Sequence, residues 1–199
     1  VNQPSSSRYK MLSDQVKELI AKSRIVSFNW QYPSEAMNIF QQADNEGRYL
    51  TDKEIAKIQA IVPSLSQGLA QGKLLRDNVA QIVSDARGVV VDTYPGITEP
   101  GGSLYPTMRA EACWRDFWHF TRCISYGISG QTVNYTSDRG LAYMEQLYQE
   151  LQVPLDAMVL GLEQLKVFSL KQFEPAERND LEPYFDRLIA SMRQFSAVD

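Results

Sequence analysis

The chain has little of what metal and hydrolytic chemistry requires. Its 199 residues include one histidine, His119, and two cysteines, Cys113 and Cys123. The cysteines lie ten apart in one helical pattern, which separates them by roughly 15 Å and excludes a disulfide. The thiols are therefore expected to be unpaired or modified, in an intracellular chain. A cysteine hydrolase needs a base beside its thiol. His119 stands six residues after Cys113, on a different face of the same helix, so no enzyme is expected. There is no basic run, and the net charge is −4 with both signs dispersed, which excludes nucleic acid as an expected partner. No apolar stretch approaches the length of a membrane span or has the shape of a signal peptide. Strand alternation, internal repeats and low-complexity tracts are absent too.

What remains is helical periodicity. Met11, Leu12, Val16, Leu19 and Ile20 form one apolar stripe in a pattern running from Arg8 to about Ser27. Pro33 and Ser34 restart the chain, with Ser34 as N-cap and Met37, Phe40 and Ala43 on one face, and Gly47 ends that helix. Thr51 and Glu54 have capping-box spacing. Pro63 breaks the next pattern, and a long helix follows to about Val91. The segment 93–106 holds three prolines and three glycines and reads as a loop. Further helices are expected from about Thr107 to Ser129, from Ser137 to Leu151, up to about Phe173, and from Glu174 onward. The fold class is all-α, with seven to nine helices.

Chemistry concentrates in one of these. In a helix, Arg109, Cys113, Asp116, Phe117 and Phe120 share a face, flanked by Arg115. A thiol, a carboxylate, cations and aromatic surface on one face suit a large flat ligand that bears carboxylates and ring N–H groups. The thiol can form a thioether, the guanidiniums can pair with acid groups, and the carboxylate can accept from N–H donors. From spacing alone the bland alternative stays open: a small buried cysteine among core aromatics, with an Arg–Asp pair beside it.

Longer motifs carry a resemblance. Cys113-Trp114-Arg115-Asp116 resembles the Cys-x-Arg-Asp motif of allophycocyanin and phycocyanin subunits. Pro100-Gly101-Gly102 resembles the loop before their pigment helix, and Ser125-Tyr126-Gly127-Ile128 a motif late in it. Ala43-Asp44, with Arg48-Tyr49-Leu50, resembles the junction between their N-terminal helical hairpin and globin part. Tyr148, Leu151, Pro154 and Asp156 match a turn, and Tyr184-Phe185-Asp186 the last helix. The order and separations of these motifs, over about Ser34 to Met192, identify the chain as similar to the phycobiliprotein family.

That resemblance implies a globin-like fold over residues 34–199, preceded by an extension, 1–33. It implies a light-harvesting or energy-transfer subunit of a phycobilisome or related antenna, soluble and peripheral to the thylakoid membrane, in cytoplasm or plastid stroma. The cofactor implied is phycocyanobilin or a related linear tetrapyrrole, covalently bound to Cys113. Arg109, Arg115, Asp116, Phe117, His119, Phe120, Ser103 and Tyr148 are the expected pigment contacts. Asp44, Arg48 and Arg122 are expected at a contact with another phycobiliprotein subunit, or in a homodimer. Ser103 stands where relatives usually have Asn, and His119 where they often have Tyr. Two other functions compete: a pigment-free structural or regulatory paralogue that docks to an antenna or photosystem, and a haem-binding sensor globin with His119 as axial ligand. The stripe of the extension and the aromatics Phe28, Trp30 and Tyr32 are expected to dock on an antenna linker or photosystem component, with packing on the chain's own helices and docking on a membrane surface as the competing readings.

Overall fold

The computed structural model of the chain describes residues 13–196. Among these residues the architecture is all-α and globin-like, with eight α-helices: α1 (Asp14–Lys22), α2 (Ser34–Asn45), α3 (Asp52–Ile61), α4 (Ser66–Thr93), α5 (Thr107–Ser129), α6 (Asp138–Glu150), α7 (Leu155–Leu170) and α8 (Pro175–Arg193). A single 3₁₀ turn, Pro63–Leu65, joins α3 to α4 at the expected proline break.

Local chemistry explains most boundaries. Thr51 and Glu54 form the reciprocal capping box that starts α3. Gly47, at φ 65°, takes the left-handed conformation just past α2. Ser13 caps α1 by accepting from the Val16 amide at 3.2 Å, with Asp14 in the first turn and Lys22 in the last. The helical pattern had been expected to run on to Ser27. It stops at Lys22, where the Ser23 amide and hydroxyl both return to the Leu19 carbonyl at 2.9 and 2.6 Å.

Helix α5 is the axis of the molecule. It packs on α4, α7 and α8, and every residue from Phe120 to Gly130 is buried. A helix that is covered all round cannot be amphipathic there, so its small and aromatic residues are set by neighbours on every side. Its N-terminal half is covered on one side only, and that open side holds Arg109, Cys113 and Asp116.

The N-terminal segment was expected to be an appendage that docks elsewhere. Met11 and Leu12 lie outside the described residues. The rest of the segment, from Ser13 to Pro33, packs on its own chain. Val16 and Leu19 are buried, and α1 lies against α6. The strand-like stretch after α1 is then stitched to the α5–α6 connection. The Ser27 amide donates to the Tyr135 carbonyl at 2.7 Å and the Ser137 amide to the Ile25 carbonyl at 2.8 Å, around an antiparallel bridge between Val26 and Thr136. Gly140 makes that approach possible: a Cβ there would stand 1.7 Å from the Arg24 carbonyl oxygen. Phe28, Trp30 and Phe40 cluster with Tyr126, at centroid separations of 5.1 to 6.3 Å. Phe28 and Trp30 are partly buried, packed against the core of their own chain.

Removing residues 1–32 therefore uncovers the apolar faces of α6 and of the end of α5. Each large side chain that loses its burial costs about 1.5–3 kcal/mol, and at least four are involved. The thermal midpoint of the truncated protein is expected to fall by at least about 10 °C. A midpoint within about 2 °C of the full chain, measured by circular dichroism, would show that the segment is dispensable.

Candidate functional site

The open side of α5 forms one wall of a cleft of about 620 Å³. Met108, Arg109, Ala112, Cys113, Arg115, Asp116, His119 and Phe120 line that wall. Met144, Leu147 and Tyr148 of α6, with Leu151 and Val153, line the opposite one. Ile20, Ala21, Ser23, Arg24 and Ile25 close a third side, and Asp44, Gly47, Arg122 and Cys123 complete the far end. The walls are mostly apolar with a few convergent polar groups, as in sites for large ring ligands.

At one end sit the thiol and the carboxylate. Burial pushes the Cys113 thiol up to about 12, Asp116 adds to the rise, and Arg109 partly offsets it. Burial also raises the Asp116 carboxyl to about 6, against a hydrogen bond from the Tyr148 hydroxyl to Oδ2 at 3.0 Å that lowers it. The other carboxylate oxygen has no protein partner among the described residues. Asp116 is thus an acceptor held in apolar surroundings, and it would be stabilised by N–H donors or positive charge brought by a ligand.

Arg109 does not reach for a ligand with its whole fork. Its Nε donates to the Ser103 carbonyl at 3.0 Å and one terminal nitrogen to the Gln152 carbonyl at 2.6 Å. It pins the Gly–Pro loop and the α6–α7 turn to the start of α5, which gives the cleft its mouth. Ser103 was expected to contact the ligand. It does not line the cleft, and its described role is that backbone acceptor. Phe117 was expected on the same face as Cys113. It is fully buried and points the other way, into the space left by Gly161 on α7, where a Cβ would stand 1.9 Å from its ring. Cys123, read as a core residue, is buried but also reaches the cleft.

The other end is built on a buried ion pair. Arg122 donates to Asp44 Oδ1 at 2.7 Å, and both side chains are under a tenth exposed. It also donates to the Tyr126 hydroxyl at 3.0 Å, and that hydroxyl donates to the Arg48 carbonyl. Arg48 itself pairs with Glu46 and Glu54, which holds Glu54 down at about 2. The Arg122 Nε donates to Nδ1 of His119 at 3.2 Å. That bond fixes the tautomer. Nδ1 is the acceptor, so the neutral ring carries its proton on Nε2. Burial and the cations Arg122, Arg115 and Arg24 lower His119 to about 4 and keep it neutral. Ligation of iron through Nε2 would require the ring proton on Nδ1, directly against the Arg122 N–H, so this arrangement favours His119 as a hydrogen-bond donor over an axial ligand of haem.

Comparison with known proteins places these features. A family model described as "Phycobilisome protein" matches residues 38–192. The chain belongs to the phycobilisome protein family. It is 29% identical over 159 residues to the allophycocyanin subunit alpha-B of Synechocystis sp., covering 80% of this chain and 99% of the relative. It is 32% identical over 154 residues to the allophycocyanin alpha-B chain of Cyanidium caldarium, covering 77% and 94%. The allophycocyanin subunit beta-18 of the same organism is 31% identical over 156 residues, covering 78% and 91%.

Within this phycobilisome protein, Asp44, Arg48 and Arg122 were expected at a contact between subunits. The structure engages all three within the chain, because α2 folds back on its own α5. Ile20, Ala21, Ser23, Arg24 and Ile25 lie before the matched residues, yet they form a wall of the cleft. Sequence reasoning missed them because a helical stripe shows that a face is buried and not what buries it. Met144 and Leu147 were missed as well. Their one sequence signal was the apolar stripe they share with Tyr148 at spacings of four and one.

Asp116 has a signature that can be measured. Its folded carboxyl lies above the ordinary value of 3.8, so the folded state holds the proton more tightly than the unfolded chain. The favourable contribution is full below pH ~4 and is lost as the pH rises through about 6. At neutral pH the charged form costs roughly 3 kcal/mol. Asp116→Asn, which keeps an acceptor for Tyr148, is expected to stabilise the ligand-free protein by about that amount at pH 7.5 and hardly at all near pH 4. An Asn variant less stable than the parent at pH 7.5, in urea titrations, contradicts this reading.

Proposed function

We propose that the chain is a light-harvesting subunit of a phycobilisome-type antenna, with a linear tetrapyrrole of the phycocyanobilin type attached at Cys113. The observation that supports it most is the pairing of a buried thiol and an under-satisfied carboxylate, Asp116, on one wall of a 620 Å³ apolar cleft. The pigment, when bound, supplies absorption of red light and transfer of the excitation to a neighbouring pigment.

Everything else falls to the protein. Cys113 supplies the anchoring sulfur. Asp116 accepts from pyrrole N–H groups and balances positive charge on the ring system. Arg115 is exposed, lines the cleft and has no ion-pair partner among the described residues, so it is available to an acid group. Phe120, Met144 and Leu147 exclude water and restrict twisting of a flat ligand. Tyr148 keeps the Asp116 carboxylate oriented. Association with other phycobiliprotein subunits would bring pigments close enough for transfer. The resting thiol is a poor nucleophile. With Cys113 near 12, roughly one molecule in ten thousand carries a thiolate at pH 8. Attachment therefore requires that a base, or a factor that supplies one, reaches the cleft.

Protein produced in cells that make phycocyanobilin is expected to show a red absorption band and a pigment that survives acid urea, visible as zinc-enhanced fluorescence on a denaturing gel. Cys113→Ala is expected to lose more than nine-tenths of the covalent pigment while folding normally. Absence of pigment from the parent protein, or covalent pigment retained in Cys113→Ala, would overturn the proposal.

A further inference from the structure

Two groups of polar side chains line the cleft: Cys113 with Asp116, and Asp44 with Arg122, Arg24 and His119, which are joined by contacts of their own. The second group is the cationic end, and Arg115 lies near both. At the cationic end three arginines meet one carboxylate. Asp44 is committed to Arg122 at 2.7 Å and stands 4.0 Å from Arg24. An excess of positive charge is left beside a neutral imidazole, on a wall open to a large cavity.

Arg24 is held there firmly. Its backbone is clamped against Gly140 of α6. Its two terminal nitrogens donate to the Asp44 and Asn45 carbonyls at 2.6 and 3.2 Å, in the last turn of α2, where a cation complements the helix C-terminus. Those bonds use two of the five guanidinium N–H groups. The side chain is still about half exposed and lines the cleft. The His119 ring, fixed by Arg122 at Nδ1, has Nε2–H with no protein partner among the described residues. Arg24 thus keeps N–H groups, and His119 its Nε2–H, without acceptors among the described residues.

We propose that Arg24 and the Nε2–H of His119, next to Arg115, form a carboxylate-binding end of the cleft that holds an acid group of the ligand. The N-terminal segment would then be a positioning element for the pigment, because it delivers Arg24. This rests on the bilin reading, since the propionates of a linear tetrapyrrole are the acid groups that would occupy it. Two donors on a preset scaffold fit a carboxylate better than a neutral ester, which lacks the charge that makes such bonds strong.

The test uses the full chain with Cys113→Ala, so that binding is reversible. Phycocyanobilin as the free diacid and as its dimethyl ester are titrated separately, with absorbance as the readout. The diacid is expected to bind at least about tenfold more tightly than the ester. Arg24→Gln and His119→Leu, each in that background, are expected to shrink the gap about threefold or more while the ester affinity stays within about twofold. Ester binding thus reports whether a variant still has a folded cleft. If Arg24→Gln loses ester binding, His119→Leu decides alone. A gap that persists unchanged in the folded variants, or diacid and ester of equal affinity, overturns the carboxylate site and leaves the bilin reading standing. Failure of the parent to bind either compound overturns both.

Discussion

The buried pair between Asp44 and Arg122 is the interaction on which the rest of the site depends. Two charges taken out of water cost several kcal/mol each, and mutual attraction offsets this only when the remaining donors and acceptors are satisfied. Here they are. Arg122 also bonds Tyr126 and His119, and Arg24 donates to the carbonyl of Asp44 from the other side. The pair therefore ties α2 to α5, sets the tautomer of His119, and gives the N-terminal segment a place to end. Breaking it would leave a buried charge alone, which costs about 3–5 kcal/mol.

One further group in the cleft is held at a cost. Asp116 is a carboxylate in surroundings that favour its protonated form, whereas Cys113 is a neutral thiol at neutral pH whether the chain is folded or not. The cost at Asp116 falls on the ligand-free state. A bound cationic ring system with N–H donors would relieve it, so the energy withheld from folding is available to binding. Stability and function thus oppose each other at Asp116 and agree at Arg122.

Much of the fold was legible in the sequence because its boundaries rest on local chemistry. The limits of α5 follow from Pro106 and Gly130, the start of α3 from the Thr51–Glu54 box, and the break before α4 from Pro63. The thiol–carboxylate face was legible from spacing, with one exception. Phe117 lies on the edge of that face, and the space opposite Gly161 on α7 draws it inward, which no local pattern reveals. The cationic end was not legible as a site. Asp44 and Arg122 are 78 residues apart and Arg24 lies in a segment with no motif. Resemblance placed the pair at a contact between chains; within this one chain the fold-back of α2 already brings its members to 2.7 Å. The amphipathic stripe of α1 correctly implied a buried face, yet the occupant of that face, α6, emerged only in three dimensions.

The central claim is that α2 and the N-terminal segment close on their own α5 through the Asp44–Arg122 pair. A double-mutant cycle tests it most directly, with Asp44→Asn, Arg122→Met and both together compared in urea unfolding at protein concentrations a hundredfold apart. The account predicts a coupling energy of at least about 2 kcal/mol that is the same at both concentrations. A coupling near zero, or one that appears only at the higher concentration, would place the pair elsewhere and contradict it.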